Sequence, residues 1–199
     1  MKRLILASAS PARRNLLTQA GIDPDIVVSG VDESQVDSPD PGVVAGTLAG
    51  LKAWAVAGTR PPGDLVLGCD SVLEFDGRVL GKPDDAADAT ARWRAMRGKQ
   101  GVLHTGHCLI DLATGSAARR TTSTVVHFAD VDDAEIAAYV ATGEPLAVAG
   151  AFTIDGMCAP FVERIEGDHG TVVGLSMPTL RLLLSELGVR IQDLWRPQS

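Results

Sequence analysis

Ser8-Ala9-Ser10-Pro11-Ala12-Arg13-Arg14 crowds hydroxyls and guanidinium groups into one short turn. An apolar run, Leu4 to Ala7, precedes it, and Gly21 closes the stretch that follows. The turn therefore joins a strand to a helix, with Ser10 as N-cap and Pro11 at the first helical position. The free N–H groups of a helix N-terminus make an anion site. The helix dipole disfavours Arg13 and Arg14 in the first turn, by about 0.3–1 kcal/mol each. A bound phosphate reverses that sign. An ordinary serine cap with two solvated arginines is the competing reading.

Three further places carry candidate chemistry. Leu65-Val66-Leu67-Gly68-Cys69-Asp70-Ser71 sets a carboxylate at the end of an apolar run, where open α/β sheets place their ligands. Asp70 could hold Mg²⁺ or activate a water; a capping Asp in a turn is the plainer reading. Gly81-Lys82-Pro83 fixes Lys82 between a flexible and a rigid residue, as a point charge for phosphate or as a solvated turn lysine. In Asp32-Glu33, Glu33 would be a second carboxylate for a metal. Lys52, between Leu51 and Ala53-Trp54, either snorkels or points into a cleft. No GxxxxGK[ST] loop occurs, which disfavours P-loop kinases and GTPases. His104, His107, His127 and His169 show no metal-ligand spacing on a helix, and Trp54, Trp93 and Trp195 read as packing residues.

The totals bound the rest. The chain has 199 residues, 45% of them hydrophobic, which suits a single domain spanning residues 1–199 with two lobes. A net charge of −7 without a basic tract makes long nucleic acid a poor partner. A small anion needs only a local positive cluster. No apolar run approaches the ~20 residues of a membrane span, and Leu4 to Ala7 is too short for a signal-peptide core. No membrane association and a cytoplasmic location are expected. Cys69, Cys108 and Cys158 form no CxxC pair and read as buried apolar residues.

The elements that must position these groups follow from pattern. Strands are expected at Lys2 to Ala7, Ile26 to Ser29 and Leu65 to Gly68. A hairpin of Val72 to Phe75 and Arg78 to Leu80 turns at Asp76-Gly77. Val102 to Leu112 pairs with Thr121 to Phe128. Helices are expected from Pro11, from Val43 to Ala57, from Asp84 or Asp85 to Arg97, from Asp132 or Asp133 to Gly143, and from Met177 to Leu187. Glycines 42, 46 and 50 share a face of the second helix, where another backbone could approach. Ala147 to Ile165 reads as strand-like pieces between glycine turns, and a polar tail ends the chain. Interleaved helices and hairpins predict an α/β fold with a mixed sheet.

Taken in order, these pieces resemble the Maf family of nucleotide pyrophosphatases, once called septum formation inhibitors. The resemblance rests on Leu6 to Arg14 with Leu16-Leu17, Val31-Asp32-Glu33, Lys52-Ala53, Gly68-Cys69-Asp70-Ser71 and Leu80-Gly81-Lys82-Pro83. His104-Thr105-Gly106, Ala149-Gly150-Ala151-Phe152 and Val173-Gly174-Leu175-Ser176-Met177-Pro178 complete it. It implies a curved mixed sheet with flanking helices, in two lobes around a central groove, an architecture called Maf/ITPase-like. It implies hydrolysis of nucleoside triphosphates to monophosphate and pyrophosphate with a divalent metal (Mg²⁺, Mn²⁺ or Co²⁺), and a homodimer.

Onto this chain the resemblance carries Asp70 as the proton acceptor, Glu33 as the metal-associated carboxylate alongside it, and Lys82 as a third catalytic position. Ser8, Ser10, Arg13, Arg14, Lys52 and Lys82 fall at or beside the phosphate-binding positions. Ala12, Ser71 and Asp155 fall where two branches differ. A branch acting on dTTP and UTP has Arg, Thr and Gln there; one acting on 7-methyl-GTP has Trp, Gln and Glu. This chain matches neither set. Phe152 and Asp155 lean toward the methylated-purine branch, whereas Ala12 lacks its aromatic platform. A non-catalytic nucleotide-binding regulator of cell division is the competing function.

Overall fold

A computed structural model describes residues 2–196. Seven strands form one mixed sheet in the order β2-β1-β3-β5-β6-β7, with β4 paired to β3. The strands are β1 (Leu4–Leu6), β2 (Asp25–Ile26), β3 (Leu65–Phe75), β4 (Arg78–Leu80), β5 (Gln100–Asp111), β6 (Ser116–Phe128) and β7 (Val162–Glu166). The helices are α1 (Pro11–Gln19), α2 (Pro41–Ala57), α3 (Ala86–Met96), α4 (Asp133–Ala141), α5 (His169–Val173) and α6 (Met177–Glu186). β1 lies parallel to β2 and β3, and every other pairing is antiparallel. The expected α/β fold with flanking helices is present.

The helix starts follow the local chemistry. Ser10, Asp40, Asp85 and Asp132 each accept a backbone N–H of the turn they open, which satisfies donors that have no partner within the helix.

The long strands differ from expectation. Leu65 to Phe75 is one strand, because Asp70 and Ser71 pair in register with Gly106 and Thr105 of β5. Asp70 is therefore not at the end of its own strand. It lies just past the point where β1 leaves the sheet, since Leu6 is the last β1 residue and pairs with Leu67. Successive β3 residues face opposite sides. Val66 joins Ala49, Ala53, Cys108 and Ile110 beneath α2. Leu65, Leu67 and Cys69 join Leu17, Leu180, Leu183 and Leu184 beneath α1 and α6.

α2 lies very close to the sheet, but not through its own glycines. A Cβ on Gly68 of β3 would stand 2.2 Å from the Ala49 carbonyl oxygen, and one on Gly106 of β5 would stand 2.2 Å from that of Ala45. The backbone approach thus uses strand glycines against the Ala45, Ala49 and Ala53 stripe of the helix. Gly46 and Gly50 instead face the Thr121 and Arg119 side chains of β6, and Gly42 lies against the Asp40 side chain.

A separate aromatic core fills the far end of β3 and β5. Trp93 makes edge contacts with Phe128, Tyr139 and Phe161 at 5.6–5.8 Å, and its indole N–H donates to the Ala151 carbonyl at 2.8 Å. Ala147 to Ile165 departs from the strand reading. Short 3₁₀ turns occupy Glu144–Ala147, Ala149–Ala151 and Ala159–Phe161 before β7. Pro145 and Pro160 cannot donate to a ladder, and Gly150 and Ala151 adopt φ of 69° and 61°, outside the strand region. The short helix α5, opened by Asp168 and closed at Gly174, was not expected. Within the tail, Ile191–Leu194 forms a 3₁₀ turn with Leu194 buried. Residues 197–199 lie outside the described chain. All three cysteines are buried and free, and no described helix is long and apolar enough to cross a membrane.

Candidate active site

Where β1 ends, two walls of polar groups meet, one on each face of the sheet. The first is built on Arg13. Ser10 caps α1 by accepting the Arg13 backbone N–H at 3.4 Å, and Ser8 Oγ accepts the Ser10 N–H at 3.2 Å. The Arg13 side chain turns back over the strand ends. Its Nε donates to the Gly174 carbonyl at 2.8 Å, Nη1 to Ser8 Oγ at 3.1 Å and to the Cys69 carbonyl at 2.9 Å, and Nη2 to Ser71 Oγ at 3.2 Å. These bonds use four of the five guanidinium N–H groups. Gly174 is needed here: φ is +114°, and a Cβ would stand 3.0 Å from Arg13 Nε.

The wall continues inward through hydroxyls. Thr105 donates to the Thr171 carbonyl at 2.7 Å, so its single proton is committed. Ser71, 2.9 Å away, must then donate to Thr105. The chain runs with one polarity from Arg13 through Ser71 and Thr105 to α5. Both Thr105 and Thr171 are wholly buried. Nearby, buried His107 accepts the Ser176 N–H on Nε2 at 2.9 Å, which fixes the N-cap of α6. Burial, aided by the Arg13 charge, lowers the His107 pKa to about 4, so the ring is neutral at pH 7.

The second wall is built on Lys52. α2 is held so near the sheet that this side chain reaches down between two carboxylates. Its Nζ donates to Glu33 Oε1 and Asp70 Oδ1, each at 2.5 Å. Lys52 is 8% and Asp70 5% exposed, whereas the Glu33 side chain is 46% exposed. Glu33 opens a short 3₁₀ turn, Glu33–Gln35, capped by Asp32. Burial pushes the Asp70 carboxyl above its ordinary value, and Lys52 only partly opposes this. At Glu33 burial also acts upward, but Lys52, Lys82 and Arg13 together bring its pKa below the ordinary value.

Ser8, Ser10, Arg13 and Ser71 thus share one wall, and Glu33, Lys52 and Asp70 the other. Lys82 is exposed on the loop after β4, and its charge helps to lower the Glu33 pKa. Arg14 is exposed on α1, and Ala12 is half-buried beside it. Asp155 is exposed and takes a local hydrogen bond from the Thr153 hydroxyl. Thr105, Thr171, Gly174 and the Cys69 carbonyl were not expected to contribute. Some of them fall inside motifs that the resemblance rests on, but buried threonines and main-chain carbonyls carry no sequence signal of their own.

Glu33 and Asp70 aim hard oxygen donors at one point, which fits Mg²⁺, an ion commonly held by one or two carboxylates and completed by substrate phosphates and water. No group of three or more His, Cys, Asp or Glu suited to a metal occurs among the described residues.

A family model described as Maf-like protein matches residues 3–187. The chain belongs to the Maf family. Relatives agree along its full length. A protein of Salinispora tropica named nucleoside triphosphate pyrophosphatase is 64% identical, over 97% of this chain and 87% of its own. Proteins of the same name from Streptomyces avermitilis and Trichormus variabilis are 59% and 50% identical. The alignments cover 99% and 98% of this chain, and 96% and 98% of those proteins. Maf membership accounts for the ordered run of short motifs.

Proposed function

We propose that this Maf protein hydrolyses nucleoside triphosphates to nucleoside monophosphate and pyrophosphate. The observation that carries the reading is the buried carboxylate Asp70, held with Glu33 on one lysine beside an arginine-lined, hydroxyl-bearing turn. The name shared by relatives at 50–64% identity supports it.

In this reading Asp70 orients the attacking water and accepts its proton. Its raised pKa brings it nearer to neutral, as a general base requires. Lys52 and Lys82 neutralise charge on the phosphates, and Arg14 adds to that field from α1. Ser8, Ser10 and the α1 N-terminus receive phosphate oxygens. Arg13 has one N–H left for the substrate and mainly holds the wall in place. Glu33 and Asp70 would hold a divalent cation (Mg²⁺, Mn²⁺ or Co²⁺), which when bound polarises the phosphate oxygens as a Lewis acid.

Ser71 Oγ is committed to Arg13 and Thr105, so the choice of base falls to residues around Ala12 and Asp155. Clearing modified nucleotides from the cytoplasmic pool, as a homodimer, is the role the family resemblance supports. A regulator that only bound nucleotide would not need a desolvated base in the cleft.

The test is a panel of triphosphates, including 7-methyl-GTP, dTTP and UTP, assayed with each metal. Phosphate is measured with and without added inorganic pyrophosphatase. A signal only in the coupled assay is expected. Direct orthophosphate release, or no turnover of any nucleotide, would reject the reading. Light scattering tests the dimer.

A further inference from the structure

Lys52 occupies the point at which Glu33 and Asp70 converge. Its Nζ lies 2.5 Å from an oxygen of each, so in the nucleotide-free protein both carboxylates already have a cation between them. A divalent ion cannot use those oxygens while an ammonium is bonded to both, because like charges at that distance repel strongly in a desolvated site. With only two carboxylates converging and no larger acidic or histidine cluster among the described residues, the protein also lacks the ligands to hold such an ion firmly alone.

We infer that Lys52 is an exchangeable counter-ion, displaced from Glu33 and Asp70 when a metal–triphosphate complex enters. The inference deepens the proposed function and rests on it. An incoming triphosphate offers the ammonium other oxygens. Lys52 swings onto a phosphate while the cation, arriving with the nucleotide, takes its place between the carboxylates.

The parts suit such an exchange. A lysine ammonium is a compact point charge on a four-carbon stem, so a change of rotamer redirects it while α2 stays fixed. α2 itself cannot follow, since it lies on Gly68 and Gly106 with no space to move inward. Glu33 is half-exposed on a single 3₁₀ turn and can adjust to a smaller ion. At the carboxylates a singly charged ammonium gives way to a doubly charged ion, and the displaced ammonium then offsets part of the negative charge that the triphosphate brings. The exchange also predicts an order, with free metal bound poorly and metal bound well only together with a triphosphate.

The experiment measures Mn²⁺ affinity by electron paramagnetic resonance on nucleotide-free protein. Lys52→Met should bind Mn²⁺ at least tenfold more tightly than the wild type. Lys82→Met, which removes the same charge from a residue outside the contact, should shift the affinity less than threefold. Equal affinities of Lys52→Met and wild type would overturn the inference. So would equal tightening by Lys82→Met, which would reduce the effect to net charge.

A wild-type arm covers the case in which Lys52→Met does not fold. Mn²⁺ affinity is measured with and without an α,β-methylene triphosphate, correcting for binding to the analogue alone. At least tenfold tightening by the analogue is expected, and none would overturn the exchange. If the wild type releases pyrophosphate but these affinities do not move, the exchange fails and the proposed function stands. If no triphosphate is hydrolysed, the proposed function fails, while the nucleotide-free comparison still judges the exchange.

Discussion

The two walls of the candidate site are held by opposite means. The Arg13 wall is a charge bonded to neutral groups: two main-chain carbonyls and two hydroxyls from separate segments. Cys69 and Ser71 are fixed by the sheet, Gly174 by the turn that closes α5, and Ser8 by the Ser10 N–H that it accepts. The Lys52 wall is charge on charge, with one long side chain between two carboxylates. Its partners differ in burial, and one of them stands on a single turn. A cation with four fixed acceptors is costly to move, because each acceptor left behind in a buried site loses its partner. A cation with two ionic partners leaves no carboxylate unpaired if another cation takes its place. In the proposed function the first wall is therefore the scaffold and the second the machinery.

The largest test of this contrast is Asp70→Asn. Shape and one hydrogen bond to Lys52 survive, but the carboxylate that the proposed function makes the proton acceptor is lost. Pyrophosphate release should fall by about 10²–10⁴-fold, in a protein that still folds although it loses the charge partner of buried Lys52. A folded variant with full activity would put the machinery elsewhere.

Next comes acid stability, which tests the Arg13 wall through His107. The His107 pKa is lowered from 6.5 to about 4. As pH falls, the unfolded chain binds this proton first, so stability present above pH 6.5 is lost progressively down to about pH 4. Roughly 3 kcal/mol is involved at most. Urea unfolding at pH 7 and pH 4.5 should show this loss in the wild type and a smaller one in His107→Gln, whose side chain can still accept from Ser176. An identical pH dependence in both would remove His107 from the account.

Gly68→Ala tests how the Lys52 wall is mounted. The new Cβ collides with α2, and overpacking of this kind costs about 1–3 kcal/mol. Because Lys52 rides on α2, kcat should fall along with the unfolding free energy. Lost stability with unchanged kcat would mean that the height of α2 does not matter to the site.

The smallest effect is expected at Thr105. Thr105→Val removes a buried donor and acceptor behind Ser71, at about 1–2 kcal/mol, and loosens Arg13. A several-fold loss of kcat/KM, restored by Thr105→Ser, would place the hydroxyl chain in the scaffold. If serine failed to restore it, packing would be the cause instead.

Much of this was readable in advance. Ser10-Pro11 marks a helix start whatever surrounds it, because capping is local chemistry. The apolar run around Val66 and the Asp76-Gly77 turn similarly specify a buried strand and a hairpin. Glu33, Lys52 and Asp70 could each be named as candidates by residue type and motif. What failed were elements without a period. Helix α5 is too short to show one, and the stretch around Gly150 is shaped by positive φ angles.

The sequence by itself determined which groups are available: two hydroxyls and an arginine at a helix start, two carboxylates and two lysines. Local rules suffice for that, since caps, turns and alternation act over a few residues. Only the tertiary structure decided what those groups do to one another. Arg13 could be read as a solvated arginine until Gly174, from the other end of the chain, took its Nε. Lys52 could be read as a snorkelling lysine until α2 settled onto Gly68 and Gly106 and brought its Nζ between Glu33 and Asp70. These pairings depend on distances between segments far apart in the chain, and packing, not local preference, sets those distances.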